Sequence, residues 1–323
     1  MSLTIWTNGV FNPQATRLLE EGTSAYRLIK APTATASVLN PGEEDSSFAS
    51  ADIAFGQPAV ADCLGSAQLK WLEVTSAGYT RYDTTEFFSH FRSRNCVFTN
   101  VSGVFADPCA QHVLSMMLAL ARQLLPSHRD QCTDHSWHYH ERRYHSRLMT
   151  GQTVLLLGFG AIGRRLAELL APFKVRILAV RRSALPPEGV ELVSEDGLPE
   201  ALAAADHVVN ILPASASTEN YVHAARISCM RSSAQFYNVG RGTTVDQSAL
   251  VEALRSGRLG AAYLDVMDPE PLPPEHELWT TPNCYITPHT AGGRHDQDEA
   301  LVAHFLENLR RYVRGDALDD RVI

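Results

Sequence analysis

Three polar residues stand where short apolar runs end: Arg241 in NVGRG (238–242), Glu270 in LDVMDPEPLP (264–273) and His289 in TPHTAGG (287–293). Their types suit one kind of chemistry. An imidazole, with an ordinary pKa of about 6.5, gives or takes a hydroxyl proton near neutral pH. A guanidinium grips a carboxylate with a bidentate fork and polarises a neighbouring keto oxygen. A carboxylate orients an imidazole and favours its protonated form. Together the three would serve hydride transfer between a nicotinamide and a hydroxy acid. Each alone has a plainer reading: a surface ion pair, a structural histidine, a solvated loop carboxylate. Spacing does not show that they meet.

Such chemistry needs a dinucleotide, and residues 153–182 supply a place for one. TVLLLGFGAIG reads as an apolar strand over Thr153–Leu157, a glycine turn and the start of a helix. Gly158, Gly160 and Gly163 have GxGxxG spacing: a tight turn, a close approach to pyrophosphate, and close packing of helix on strand. Phe159, Ala161 and Ile162 fill the motif, and the helix N-terminus turns free N–H groups toward the phosphates. Ile162, Leu166, Leu169 and Leu170 give the helix its apolar face. A second strand, Val175–Val180, closes the unit. The run Val180-Arg181-Arg182-Ser183 that follows has arginine where an acidic residue would hold a ribose 2′-hydroxyl. An arginine pairs with a 2′-phosphate, so NADP is favoured over NAD. Stacking on adenine, or solvation of both arginines, is the alternative.

The remaining elements must position these groups. Residues 1 to about 100 alternate strands (Leu3–Trp6, Ala25–Ile29, Asp52–Phe55, Trp71–Thr75, Val97–Thr99) with helical stretches, one of them capped by Asn12-Pro13. Residues 40–50 read as a polar loop. After the Trp71 strand, Ser76-Ala77-Gly78-Tyr79 is either a backbone cradle for a carboxylate or a plain turn. Asp107-Pro108 opens a helix to about Leu125 that is apolar nearly all round, hence buried in a core or against another subunit. From 153 to 287 the order is βαβαβ, that of a doubly wound sheet, and Arg241, Asp265 and His289 fall at the carboxyl ends of its strands, where ligands bind. Asp246 caps a helix over Gln247–Arg255. A last amphipathic helix covers Asp296–Val313, ended by Gly315.

Bulk properties narrow the class. The chain has 323 residues, enough for two domains, with 45% hydrophobic and 20% charged residues. A net charge of -8 argues against a nucleic-acid surface. No apolar run reads as a membrane span and no secretory signal is evident. The six cysteines form no CxxC pair and read as reduced thiols in a cytoplasmic protein. His128, His135, His138, His140 and His145 raise a metal site, but no carboxylate or cysteine spacing completes it; an exposed connecting loop is the simpler reading, and no metal is expected.

These motifs resemble the D-isomer-specific 2-hydroxyacid dehydrogenase family over nearly the whole chain: TSAGYTRYD (75–83), TNVSGVFADPCAQHVLSMMLALAR (99–122), GQTVLLLGFGAIGRRLA (151–167), VVNILPASASTEN (208–220), FYNVGRGTTVDQSALVEAL (236–254), AAYLDVMDPEPLP (261–273) and ITPHTAGG (286–293). The resemblance implies two doubly wound α/β domains. A Rossmann-type nucleotide domain (101–291) is inserted into a discontinuous flavodoxin-like substrate domain (1–100 plus 292–323), with the cleft at the hinge. It implies Arg241, Glu270 and His289 as the catalytic trio. Ala77 and Gly78 would bind the substrate carboxylate together with Arg241 and His289. Asp265 would hold the carboxamide, with Leu212, Pro213, Val239, His289 and Gly292 lining the cofactor. It further implies reduction of a small 2-oxo acid such as glyoxylate or hydroxypyruvate to a D-2-hydroxy acid, and a homodimer supported by the long helix. Two positions depart from the family: Arg181 replaces the usual acidic residue, and Gln111 stands where many members have glutamate. Relatives that act as transcriptional corepressors make a non-catalytic nucleotide sensor the alternative; the acidic charge and intact trio weigh against it. A formate dehydrogenase-like activity would require glutamine in place of Glu270.

Overall fold

The computed structural model describes residues 3–35, 42–181 and 189–323. The chain forms two compact units, Met1–Phe105 with Arg294–Ile323, and Ala106–Gly293. The first is therefore discontinuous in sequence.

Unit 1 is built on five parallel strands: β1 (Thr4–Gly9), β2 (Arg27–Thr35), β3 (Ile53–Gly56), β4 (Trp71–Val74) and β5 (Val97–Thr99), in the order β2-β1-β3-β4-β5. A parallel sheet is covered on both faces, and its strands are apolar on both sides accordingly. Ile5, Trp6, Ile53, Phe55, Trp71, Leu72 and Phe98 are all fully buried. The helix Pro13–Gly22 starts as its sequence requires, with the Asn12 side chain accepting from the N–H groups of Gln14 and Ala15. The helix Gln297–Arg314 lays Phe305 on the sheet, its ring 4.3 Å from Phe55 and 5.3 Å from Trp71. Where β4 ends, the fully buried Glu73 accepts hydrogen bonds from Thr99 (2.9 Å), Asn308 (2.7 Å) and His304 (3.0 Å). The other ring nitrogen of His304 lies 3.2 Å from Asp320. Burial alone would lower the pKa of His304, but the Asp320 and Glu73 carboxylates outweigh it and push it up to about 10. This ionic network ties β4, the last helix and the C-terminal segment together.

Unit 2 has seven parallel strands: β6 (Thr153–Leu157), β7 (Arg176–Val180), β8 (Glu191–Val193), β9 (His207–Asn210), β10 (Gln235–Asn238), β11 (Ala261–Leu264) and β12 (Cys284–Ile286), in the order β12-β11-β10-β9-β6-β7-β8. The chain runs outward from β6 to β8, then returns to β9 and runs the other way. The strand order reverses between β6 and β9, which defines a ligand-binding crevice at the strands' carboxyl ends. Both expected doubly wound sheets are present, the first in flavodoxin order and the second in Rossmann order with one added strand.

Three sequence expectations are corrected. The long helix begins at Ser102, not at Asp107, and ends at Ala121. Asn100 starts it by accepting from the Ser102 N–H and hydroxyl, and Pro108 is carried inside. Gln123, at φ 59°, breaks it, and Pro126 sits in the first turn of the next helix, where an N–H has no intrahelical partner in any case. The segment 124–148 is not a plain loop: it holds the helices Leu124–Cys132 and Tyr139–His145, braced by Arg142 on Asp130 at 2.6 Å. The Ser102–Ala121 helix does have the length and apolar composition of a membrane span. Its Ala110, Val113 and Met117 are instead fully buried in the core of unit 2.

Candidate active site

Arg241, Glu270 and His289 follow β10, β11 and β12, three neighbouring strands of one sheet. Adjacent parallel strands lie about 4.8 Å apart, so residues 29 and 19 positions apart in sequence emerge side by side. The two glycines of NVGRG allow the strand-end loops to close on one another. A Cβ on Gly240 would come within 2.6 Å of the Leu212 carbonyl oxygen, and one on Gly242 within 2.0 Å of the Met267 carbonyl group. Only glycine permits either contact.

The pair that results is His289 with Glu270, Nδ1 to Oε2 at 2.8 Å. The other Glu270 oxygen accepts from the Met267 N–H at 3.0 Å, so the carboxylate is fixed at both ends. Glu270 lies between Pro269 and Pro271, each joined by a cis peptide bond. With Nδ1 committed to Glu270, Nε2 is the ring nitrogen left to a substrate. Both side chains are about one-third exposed, open enough to exchange protons.

The Arg241 backbone carbonyl is gripped by Asn238 Nδ2 (3.1 Å) and the Thr244 hydroxyl (2.6 Å), and its Nη1 donates to the Gly240 carbonyl (2.6 Å). Burial pulls its pKa below the usual guanidinium range, while Glu270 and Cys109 act in the opposite sense. It remains a cation at any physiological pH. The Cys109 thiol is pushed up to about 12, first by burial and then by Asp265, so it is an inert packing group.

Asp265 is buried beneath the histidine. Its Oδ1 accepts from the Thr287 hydroxyl (2.5 Å) and the Thr290 N–H (2.8 Å), and its Oδ2 from the Ala291 N–H (2.9 Å). The His289 N–H donates to the Asp265 carbonyl at 2.8 Å. A carboxylate has about four acceptor sites, so one remains for an outside donor such as a carboxamide.

A cavity of about 570 Å³ opens at the strand-order reversal. Gly158, Phe159, Gly160, Arg181, Leu212 and Pro213 line it, all expected from sequence. Gly158 turns at φ +103°, and the Cβ direction of Gly160 is empty to 4 Å. A Cβ on Gly163 would meet the Gly158 carbonyl at 3.0 Å. These are the three roles GxGxxG spacing implies for a pyrophosphate. Ala161 and Ile162 form the first turn of the helix Ala161–Leu170. Val239 is buried in the core, and Gly292 is half-buried beyond the histidine loop. Arg182 and Ser183 lie outside the described residues.

The cavity also holds residues the sequence reading missed, among them Arg164, Glu195 and Tyr221. Glu195 follows β8, a three-residue strand with no periodicity to reveal it. Arg226 (2.8 Å) and the Tyr221 hydroxyl (2.5 Å) occupy its carboxylate. Arg164 sits four residues past Gly160 in the first helical turn, and that offset was the available signal. Among the described residues, neither Arg164 nor Arg181 has a carboxylate partner. The cavity thus presents two guanidiniums beside one ion-paired acid, a setting that suits the phosphates of a dinucleotide.

In unit 1, Ala77 and Gly78 follow β4. Gln57 donates to the Thr75 and Ser76 hydroxyls (3.2 and 3.1 Å), and Asn100 to the Ala77 carbonyl (2.8 Å). Among the described residues, the N–H groups of Ala77 and Gly78 have no acceptor, as a carboxylate cradle requires. Gln111, by contrast, bonds Asp107 on the helix surface (2.7 Å) and belongs to neither site. Among the described residues no group of three or more histidine, cysteine or acidic side chains could hold a metal.

Residues 114–291 match the family model for the D-isomer specific 2-hydroxyacid dehydrogenase NAD binding domain. The chain is 33% identical over 218 residues to the human glyoxylate reductase/hydroxypyruvate reductase, covering 67% of this chain and 66% of that one. It is 36% identical over 229 residues to an uncharacterized Corynebacterium melassecola protein, covering 70% and 74%. Among solved structures it resembles the D-isomer specific 2-hydroxyacid dehydrogenase of Xanthobacter autotrophicus Py2 in complex with NADPH and MES, at 26% identity and TM-score 0.81 over 100% of this chain and 98% of that one. The chain therefore belongs to the D-isomer-specific 2-hydroxyacid dehydrogenase family, NAD(P)-dependent oxidoreductases acting on CH–OH groups.

Proposed function

We propose that this chain reduces a small 2-oxo acid of the glyoxylate or hydroxypyruvate type to the D-2-hydroxy acid, with NADPH preferred over NADH. The observation that carries this is the 2.8 Å His289–Glu270 pair beside Arg241, in the same unit as the dinucleotide cradle. When bound, the reduced nicotinamide supplies the hydride. His289 delivers a proton from Nε2 to the keto oxygen. Glu270 fixes the ring through Nδ1. Arg241 binds the carboxylate and polarises the keto group. Ala77 and Gly78 offer backbone N–H groups to a substrate carboxylate, which gives unit 1 a substrate-binding role. Asp265 offers its remaining acceptor site to the carboxamide. Purified protein with a panel of 2-oxo acids and each cofactor will show acid-dependent loss of reduced-nicotinamide absorbance. No loss with any pair overturns the reading.

The cofactor preference rests on Arg181 and Arg164. A charge-assisted hydrogen bond contributes roughly 1.5–3 kcal/mol, so Arg181→Asp will lower kcat/KM for NADPH about 10- to 100-fold. For NADH the change will stay within about threefold, because no 2′-phosphate is lost to repulsion. Steady-state rates with both cofactors check this; equal losses would return Arg181 to generic dinucleotide binding.

We also propose a homodimer and a cytosolic setting. The segment 124–148 leaves Trp137 90%, Tyr144 86% and Leu148 67% exposed, a set of large apolar side chains that a second copy would cover. Burying each contributes roughly 1.5–3 kcal/mol. Replacing Trp137 and Tyr144 together with glutamate will therefore convert the dimer to monomer in light scattering at micromolar concentration. An unchanged mass would place the interface elsewhere. The six unpaired cysteines suit a reducing compartment.

A further inference from the structure

His289 occupies the left-handed region at φ 54°, which few residues other than glycine adopt without support. The catalytic pair alone does not hold that backbone. The support comes from below, through a chain of hydroxyls that begins inside the sheet.

Tyr263 is a fully buried residue of β11, its ring stacked on His112 of the long helix at 5.6 Å. Its hydroxyl lies 2.5 Å from Thr287 Oγ1, which lies 2.5 Å from Asp265 Oδ1. The direction of the chain follows from counting protons. Asp265 as a carboxylate only accepts, so Thr287 must give it its single hydroxyl proton. The Thr287 oxygen is then free only to accept, and Tyr263 must donate to it. Burial holds the phenol neutral, which keeps that proton in place. A directed run of this kind strengthens each bond in it. It ends on the carboxylate that captures the N–H groups of Thr290 and Ala291, on either side of which the histidine loop turns.

We propose that Tyr263 and Thr287 are positioning residues for the reaction: by fixing the Asp265 carboxylate they lock the 287–291 loop in the one backbone conformation that sets His289 against Glu270. Neither lines the dinucleotide cavity. The inference rests on His289 being the proton donor, and its test separates the two claims.

Three variants serve. Thr287→Val keeps shape and removes the hydroxyl, Tyr263→Phe keeps the ring and its stack on His112, and Thr287→Ser restores the hydroxyl. Two readouts are needed, each beside a melting curve showing the variant folded. In steady-state kinetics, Thr287→Val will lower kcat about 10- to 30-fold and Tyr263→Phe about 3- to 10-fold, the scale of one lost buried hydrogen bond. KM will stay within about twofold, and Thr287→Ser will recover the parent kcat to within about twofold. In hydrogen exchange, the amides of 289–291 will exchange faster in Thr287→Val and Tyr263→Phe, with the rest of unit 2 unchanged. Folded variants with parent kcat and parent exchange would overturn the proposal, as would a rise in KM with kcat unchanged. A parent with no 2-oxo acid reductase activity would remove the functional reading; exchange at 289–291 would still decide whether the brace exists.

Discussion

His289→Asn will lower kcat about a thousandfold while leaving NADPH affinity within about twofold of the parent. Asparagine is the right replacement because the position sits at φ 54°, and asparagine tolerates the left-handed region better than alanine does. The loop and its three hydrogen bonds to Asp265 are made by backbone groups and Thr287, so they survive the change. What disappears is the proposed proton donor and the 2.8 Å contact with Glu270. Positioned general acid catalysis contributes roughly 10²- to 10⁴-fold. Turnover by rapid mixing, beside a fluorescence titration with NADPH, separates chemistry from binding. Retained turnover would remove the histidine from its role.

Arg241→Lys will cost about 10²- to 10³-fold in kcat/KM, with KM for the 2-oxo acid rising and kcat falling together. The charge is kept, so an electrostatic account alone would expect little. The loss comes from geometry. Lysine is a point donor and cannot hold a carboxylate with two parallel bonds while polarising the keto oxygen. Its ammonium is also more strongly hydrated, and the site is one where burial already pulls the guanidinium pKa down. Rates over a range of 2-oxo acid concentrations test this. A change confined to KM would reduce Arg241 to uniform binding of substrate.

Much of the nucleotide site is legible in the sequence because its chemistry is local. The three glycines, the strand before them and Arg181 after them occupy one βαβ stretch. The proposed catalytic trio is legible by residue type and strand-end position, but its assembly is not. That Arg241, Glu270 and His289 converge depends on β10, β11 and β12 being neighbours, and on Gly240 and Gly242 allowing backbone contact with Leu212 and Met267. No local pattern encodes either. The start of the long helix is not legible, because Asp107-Pro108 is a strong local start signal while the helix is begun by Asn100, seven residues earlier. Glu195 was missed because a three-residue strand carries too little periodicity to declare itself. The Tyr263–Thr287–Asp265 chain links residues 22 to 24 positions apart through two strands, and only the register of β11 on β12 brings them together.

In the proposed reaction hydride reaches one face of the keto carbon and the proton goes to the keto oxygen. The most direct measurement is to incubate the purified protein with hydroxypyruvate and NADPH and resolve the glycerate formed by chiral chromatography. Membership of the D-isomer-specific family predicts D-glycerate alone, in one-to-one amount with NADPH oxidised. L-glycerate, a racemic product, or cofactor oxidation without glycerate would contradict it.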